Sequence, residues 1–272
     1  MGARRCLVDR LAGELGECRT GALARVSSFG PHYGEEAPLS GWRGSGTIFF
    51  SGCNLHCIFC QNYEISQLND GLEVSAVQLA EMMLQLQAQG CHNINLVSPS
   101  HVVPQILQAL ELAAARGLRL PLVYNTGGYD HPETLKLLDG IVDIYMPDMK
   151  YADAATAMRL SGVQDYPAVN QAAVIEMHRQ VGDLQIGPDG VAQRGLLVRH
   201  LVLPNNLAGT RQIMEFLAEK VSPHTYVNVM DQYRPVFRAH AVPEIDRRIY
   251  REEFLAAVRA ARDAGLSRLD RG

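Results

Sequence analysis

Cys53, Cys57 and Cys60 put three thiols within eight residues, in the segment Ser51-Gly52-Cys53-Asn54-Leu55-His56-Cys57-Ile58-Phe59-Cys60-Gln61-Asn62. Thiolates are soft ligands and select zinc, copper(I) or iron–sulfur centres. Structural zinc takes four ligands in paired short spacings, and no second pair follows nearby. Three thiolates on a four-iron cubane leave one iron without a protein ligand, which makes it a place where chemistry can happen. A three-cysteine zinc site is the alternative. The other cysteines, Cys6, Cys18 and Cys91, are scattered. Cys91, ahead of an apolar run, reads as a small buried hydrophobe.

Further candidates lie at the ends of predicted strands. Alternation over 142–150 puts Val142, Ile144, Met146, Asp148 and Lys150 on one face. Two charges continuing an apolar inward face belong where a polar ligand sits, with a surface ion pair as the simpler reading. Asn228, Met230 and Gln232 share a face in the same way, and a Met there is as readily core as contact. His101, Arg199 and His200 also fall at strand ends, where each could meet a substrate carboxylate or carbonyl. Histidine titrates near neutrality, but an isolated one is usually structural.

The elements that must hold these residues alternate. Strands are expected at 47–50, 93–97, 120–124, 141–146, 196–203 and 226–230. Helices are expected at 77–88 (opened by a Ser75/Gln78 capping box), 102–116, 130–138, 154–160, 168–181, 210–220 and 243–264. Strand–helix alternation means βαβ units and a parallel sheet, with chemistry at the strands' C-terminal ends. Residues 1–43, rich in Gly and Pro, read as an extension over a core at 44–272. An open doubly wound sheet is the second choice, but no Gly-rich dinucleotide fingerprint follows the first strand.

The chain has 272 residues, 25 Lys+Arg against 29 Asp+Glu, and 47% hydrophobic residues. That excludes disorder and a protein that works by neutralising nucleic-acid phosphates. No apolar run approaches a membrane span, and Met1 to Asp9 has no apolar leader, so a cytoplasmic protein with reduced thiols is expected.

Cys53-x3-Cys57-x-Phe59-Cys60, with its aromatic before the last cysteine, resembles the signature of the radical S-adenosylmethionine (radical SAM) superfamily. A closer resemblance is carried by Cys-Gln-Asn after the cluster, Ile-Asn-Leu-Val-Ser-Pro-Ser-His (94–101), Tyr-Asn-Thr-Gly-Gly-Tyr (124–129), Met-Pro-Asp-Met-Lys-Tyr (146–151), Arg-His-Leu-Val-Leu-Pro-Asn-Asn (199–206) and Asn-Val-Met-Asp-Gln-Tyr (228–233). Together these look like the uncharacterised homologues of the pyruvate formate-lyase activating enzyme. The resemblance implies an α/β fold, a partial (β/α)6 barrel of radical SAM type with an N-terminal extension. It implies a [4Fe-4S] cluster on Cys53, Cys57 and Cys60, with S-adenosylmethionine on the open iron as the source of a hydrogen-abstracting radical.

For the cofactor it implies contacts from Phe59, Asn62, Asp148, Lys150, His200, Asn228 and Met230. Ser98 and Ser100 stand where the superfamily has a Gly-Gly-Glu-type segment, and Asn125 or Thr126 where the activating enzymes have a ribose-binding acid. The implied partners are a polypeptide substrate such as a glycyl radical enzyme, and a flavodoxin- or ferredoxin-type electron donor, with no nucleic acid and no membrane. Modification of a small molecule or peptide is the second reading, and an iron–sulfur electron carrier the third. Cys6 and Cys18 resemble the latter half of an N-terminal cysteine motif of these homologues. The start then lies further upstream or the second site is lost, and two cysteines alone carry no metal assignment.

Overall fold

The computed structural model describes Cys6 and residues 8–270, and nine strands organise it. In chain order the elements are β1 (Ala24–His32), α1 (Ala37–Ser40), β2 (Ser45–Phe50), α2 (Tyr63–Ser66), β3 (Leu72–Val74), α3 (Ala76–Ala88), β4 (Ile94–Val97), α4 (Val103–Ala115), β5 (Leu122–Thr126), α5 (Pro132–Lys136), β6 (Ile144–Pro147), α6 (Ala154–Ser161), α7 (Tyr166–Val181), β7 (Gln185–Ile186), β8 (Ala192–Leu201), α8 (Thr210–Phe216), β9 (Tyr226–Met230) and α9 (Arg251–Asp263). β2, β4, β5, β6, β8 and β9 pair in that order, all parallel, as the βαβ alternation requires. Among the described residues β9 forms no ladder with β1 or β2, so the six-stranded barrel stays open on one side.

Period-two alternation sorts the strand residues between two environments. Outward residues Ile48, Phe50, Ile94 and Leu96 pack under α3 and α4, where Leu79, Met83, Leu86, Ile106 and Ala109 return the apolar stripe of each helix. Tyr124, Tyr145, Leu196 and Val198 do the same beneath α7 and α8. The inward residues Val123, Ile144, Met146 and Leu197 close the bottom of the barrel around Leu39 of α1, which is wholly buried. Met146 therefore continues into Asp148 on the inner face. Val142 does not share that face: it precedes β6 and packs with the outer helices.

The extension is part of the sheet. β1 runs antiparallel to β2 and to the three-residue β3, so the first parallel strand is flanked on its free side. Gly30 and Pro31 inside β1 mask it in the sequence. Pro is tolerated there because β3 pairs only with Ala24–Val26, so at Pro31 the strand has a ladder on one side alone. Three helix starts also differ from expectation. α5 is capped by the His131 side chain, because Asp130 is buried beneath β5 instead. Thr210 lies inside α8, after Gly209, its hydroxyl taken by His200. α9 begins at Arg251, where the Glu253 carboxylate accepts from the Tyr250 amide at 2.7 Å. No helix among the described residues is long and apolar enough to cross a membrane.

Candidate active site

At the C-terminal ends of the parallel strands lies a cavity of about 220 Å³. Its wall includes Cys53, Cys57, Cys60, Phe59 and Asn62 from the loop after β2, and Val97 and Ser98 from the end of β4. Asn125, Thr126 and Gly127 come from β5, Asp148 and Lys150 from beyond β6, Arg199 and Leu201 from β8, and Met230 and Gln232 from β9. The cysteine loop is fixed by its neighbours. The amides of His56 and Ile58 donate to Ser161 O and Leu160 O at 3.2 and 2.9 Å, satisfying carbonyls that the C-terminus of α6 would otherwise leave open. The Asn54 amide donates to Tyr129 O at 2.7 Å. Gly52, with φ +84°, lets Cys18 O approach so closely that a Cβ there would sit 2.4 Å from it.

Each thiol has a donor nearby. The Ser161 hydroxyl lies 2.9 Å from Cys57 Sγ, the Leu55 amide donates to Cys53 Sγ at 3.4 Å, and Ser66 Oγ is 3.1 Å from Cys60 Sγ. Burial pushes the Cys53 thiol up to about 12, with Cys57 adding repulsion, and raises Cys57 too. Such thiols ionise when a metal supplies the compensating charge. Among the described residues no three His, Cys, Asp or Glu side chains are grouped to share a single metal ion. Three thiols on one cavity wall are a soft donor set of the kind that zinc, copper(I) and iron–sulfur clusters take. Phe59 packs edge-on against Tyr151 and Tyr233, with ring centroids 6.4 and 5.7 Å away, and is buried behind the loop.

The charged floor is one connected network. Lys150 Nζ donates to Asp148 Oδ2 at 2.5 Å, and Arg199 Nε donates to Asp148 Oδ1 at 2.9 Å. Arg199 Nη2 donates to Asn125 Oδ1 at 2.8 Å, which leaves the Asn125 amide nitrogen as that side chain's donor. Burial alone would raise the Asp148 carboxyl, but Arg199 and Lys150 outweigh it and hold the group below the usual carboxylate range. Gly128, at φ +75°, makes the approach possible, since a Cβ there would lie 2.2 Å from Asp148 O.

Not every expected residue reaches the cavity. Ser100 is buried and pairs with Thr126 Oγ1 at 2.9 Å, while Thr126 donates to Asp130 at 2.6 Å, so both hydroxyls are occupied internally. Ser98 does face the cavity, in a left-handed conformation (φ 59°, ψ 50°) unusual for a residue with a Cβ. His200 points outward from β8: its Nδ1–H donates to Met149 O at 2.8 Å and its Nε2 accepts from Thr210 at 2.9 Å, and it is fully buried. It is a packing residue because Arg199, its neighbour, takes the inward face. His101 is likewise buried, donating to Ser51 O at 2.8 Å. Asn228 points inward, one step below the cavity, and donates to Glu36 at 2.8 Å. Cys6 and Cys18 do not line the cavity. Cys6 Sγ accepts from the Glu17 amide at 3.4 Å, and Cys18 Sγ from Arg10 at 3.2 Å. Ser161 is not foreseeable as a site residue, since nothing local in the sequence ties α6 to the cysteine loop.

The sequence profile of the radical SAM superfamily matches residues 47–217. The uncharacterized protein MJ0674 of Methanocaldococcus jannaschii is 32% identical over 265 residues, spanning 94% of this chain and 72% of that protein. Among solved structures, Streptococcus suis SuiB bound to S-adenosylmethionine has a TM-score of 0.53 at 12% identity, over 80% of this chain and 47% of that one. SuiB bound to the precursor peptide SuiA gives 0.53 at 13%, over 81% and 47%. HydG, a maturase of the [FeFe]-hydrogenase, gives 0.51 at 13%, over 79% and 47%. The chain thus spans about half the length of these structures, and the likeness to them is one of fold.

Proposed function

The chain belongs to the radical SAM superfamily, and from that premise we propose that it holds a [4Fe-4S] cluster on Cys53, Cys57 and Cys60, binds S-adenosylmethionine in the adjoining cavity, and abstracts hydrogen from a polypeptide. The observation that carries this reading is that the three thiols share one cavity wall with Asn62, Ser98, Asn125, Asp148, Lys150 and Met230. When bound, the two groups supply a one-electron reductive cleavage whose radical product removes a hydrogen atom. The chain's own work is to bind, orient and shield. The Lys150 ammonium offsets the negative charge of the thiolates, and Asp148 stays ionised to fix that ammonium in place. Ser98 offers hydroxyl and carbonyl oxygens to an ammonium, and the Asn125 amide offers a donor to a hydroxyl. Leu55, Phe59, Leu201 and Met230 keep water out of the same space.

A polypeptide substrate is favoured by the open side of the barrel, which admits an extended segment that a closed eight-stranded barrel would exclude. The fold is also that of SuiB, which was solved with a precursor peptide. The resemblance to homologues of the pyruvate formate-lyase activating enzyme makes a glycyl radical enzyme the first partner to try, with a flavodoxin- or ferredoxin-type protein delivering the electron.

The test is anaerobic reconstitution, expected to give about four irons with sulfide per chain, as a site-open cubane requires. Formation of 5′-deoxyadenosine should then be lost on replacing any of the three cysteines by Ala. Stoichiometric zinc without sulfide would overturn the reading. Paramagnetic resonance on mixtures with candidate glycyl radical enzymes should show a glycyl doublet on the partner. A modified peptide with no protein radical would instead place the chain among peptide-modifying enzymes.

A further inference from the structure

Below the cavity floor the barrel carries a second polar cluster that the proposed chemistry leaves unused. The turn between β1 and α1 delivers Glu35 and Glu36 there, with the Glu35 side chain 8% exposed and Glu36 7% exposed. Glu35 lies 3.8 Å from Arg199, and Glu36 accepts from the Asn228 amide at 2.8 Å across the open side of the barrel. Arg199 and Asn228 are register partners on β8 and β9, and the Glu36 charge is near enough to raise the Glu35 carboxyl. Asn95, wholly buried on β4, is close enough to the Glu35 carboxylate to favour its charge. Asn95 and Asn228 lie two residues before Val97 and Met230, which line the cavity, and so face the same interior.

This cluster is incomplete in two respects. The Asn95 amide nitrogen is turned to the Glu35 carboxylate, but Oδ1 of Asn95 and Oε2 of Glu36 have no donor at hydrogen-bonding distance. Buried polar groups in native structures are nearly always paired, so these ask for a ligand. The counter-charge is also thin. Glu35, Glu36 and Asp148 share Arg199 and Lys150, with the His32 ring also near Glu35, and the Arg199 nitrogens are already committed to Asp148, Asn125 and Glu35. Burial raises the Glu35 carboxyl, as it does for a carboxylate short of counter-charge. A neutral amide or a water would satisfy the dipoles and leave the charge standing.

We propose that Glu35, Glu36 and Asn95 form a substrate subsite for a cationic nitrogen group, an ammonium or a guanidinium, that enters through the open side of the barrel. Such a group brings N–H donors for Glu36 Oε2 and Asn95 Oδ1 together with the missing positive charge. The inference rests on the cavity above being the reacting site, and deepens that reading: the segment presented for hydrogen abstraction carries a lysine, an arginine or a free amine close to the reacting carbon. It also gives the N-terminal extension a share in choosing the substrate.

The test uses the reconstituted protein with S-adenosylmethionine, titrated by calorimetry with n-butylammonium, n-butylguanidinium and neutral n-butanol. One or both cations should bind, and n-butanol should not; which cation binds more tightly identifies the group. Glu36→Gln should weaken cation binding at least tenfold, whereas Glu111→Gln on the exposed face of α4 should leave it unchanged. Glu35→Gln serves as a second variant if Glu36→Gln does not fold. Equal binding of n-butanol, or undiminished cation binding in the Gln variants, overturns the subsite. S-adenosylmethionine affinity, measured in the same samples, separates the two readings. Its absence from the unmodified protein undoes the proposed function, while its presence without a preference for cations undoes only the subsite.

Discussion

Asp148 holds two buried cations at once, Lys150 at 2.5 Å and Arg199 at 2.9 Å, with its side chain 15% exposed and each of theirs 19%. Removing one member of a buried charge group leaves the others uncompensated, typically at a cost of about 3–5 kcal/mol. Asp148→Ala should therefore lower the unfolding free energy in urea by that amount, and Asp148→Asn, which keeps hydrogen-bonding capacity, by less. A wild-type unfolding curve for Asp148→Ala would mean that the carboxylate is held for a ligand alone. It follows that ligand-binding experiments at this position are better made with Asn than with Ala. Alternation along the sequence is enough to put Asp148 and Lys150 on the inner face. It cannot show that Arg199, an apparent substrate contact at a strand end, is already spent on Asp148. That pairing depends on β6 and β8 becoming neighbours, which no local pattern encodes.

At the scale of elements, α1 has only four residues, yet its Leu39 fills the bottom of the barrel and is fully buried among Val123, Ile144 and Leu197. Truncating a buried leucine to alanine costs about 2–5 kcal/mol, more when the cavity cannot collapse. Leu39→Ala lies inside a ring of strands that cannot close further, so thermal unfolding should show a loss in the upper part of that range. A loss under 1 kcal/mol would mean that the plug is loosely seated. The long helices and all six parallel strands are readable from periodicity and caps, as at Ser75 and Gln78, where both halves of the capping box form. What escapes is what lacks a period: α1, too short for one, and β1, interrupted by Gly30 and Pro31. The 120–124 strand forms two residues late, at Leu122–Thr126, because the Leu122 amide is drawn to the Asp143 carboxylate and starts the ladder there.

The whole molecule has a pH response written into its interior. Burial drives the pKa of both His101 and His200 down to about 4, so the native state keeps them neutral. The unfolded chain binds those protons at the ordinary histidine pKa of about 6.5, so between that value and 4 it carries more protons than the native state. Stability is then full above pH 6.5 and falls as pH drops towards 4, with a slope approaching about two protons. Asp130 and Glu35, raised by burial, act in the opposite sense at the acid end. Urea unfolding from pH 8 to pH 4.5 should show the decline, and His200→Gln should reduce its slope by about one proton; an unchanged slope would show that His200 binds its proton equally in the native and unfolded states. We propose that residues 8–43 and 44–270 form a single folding unit, because β1 completes the sheet and Leu39 completes its core.

The cysteine loop hangs on carbonyls and a hydroxyl from the end of α6, about a hundred residues further along the chain. A ribosome delivers these in order, and that has a consequence for timing. β1, β2 and the loop emerge together, but Leu160 and Ser161 arrive only after three more parallel strands have been made. At synthesis rates of about 5–20 residues per second, the three thiols spend several seconds outside the tunnel without the α6 contacts that fix the loop. Through that interval they are open to oxidation and to stray metal ions, and the loop reaches its full set of contacts only once the last of α6 has folded back.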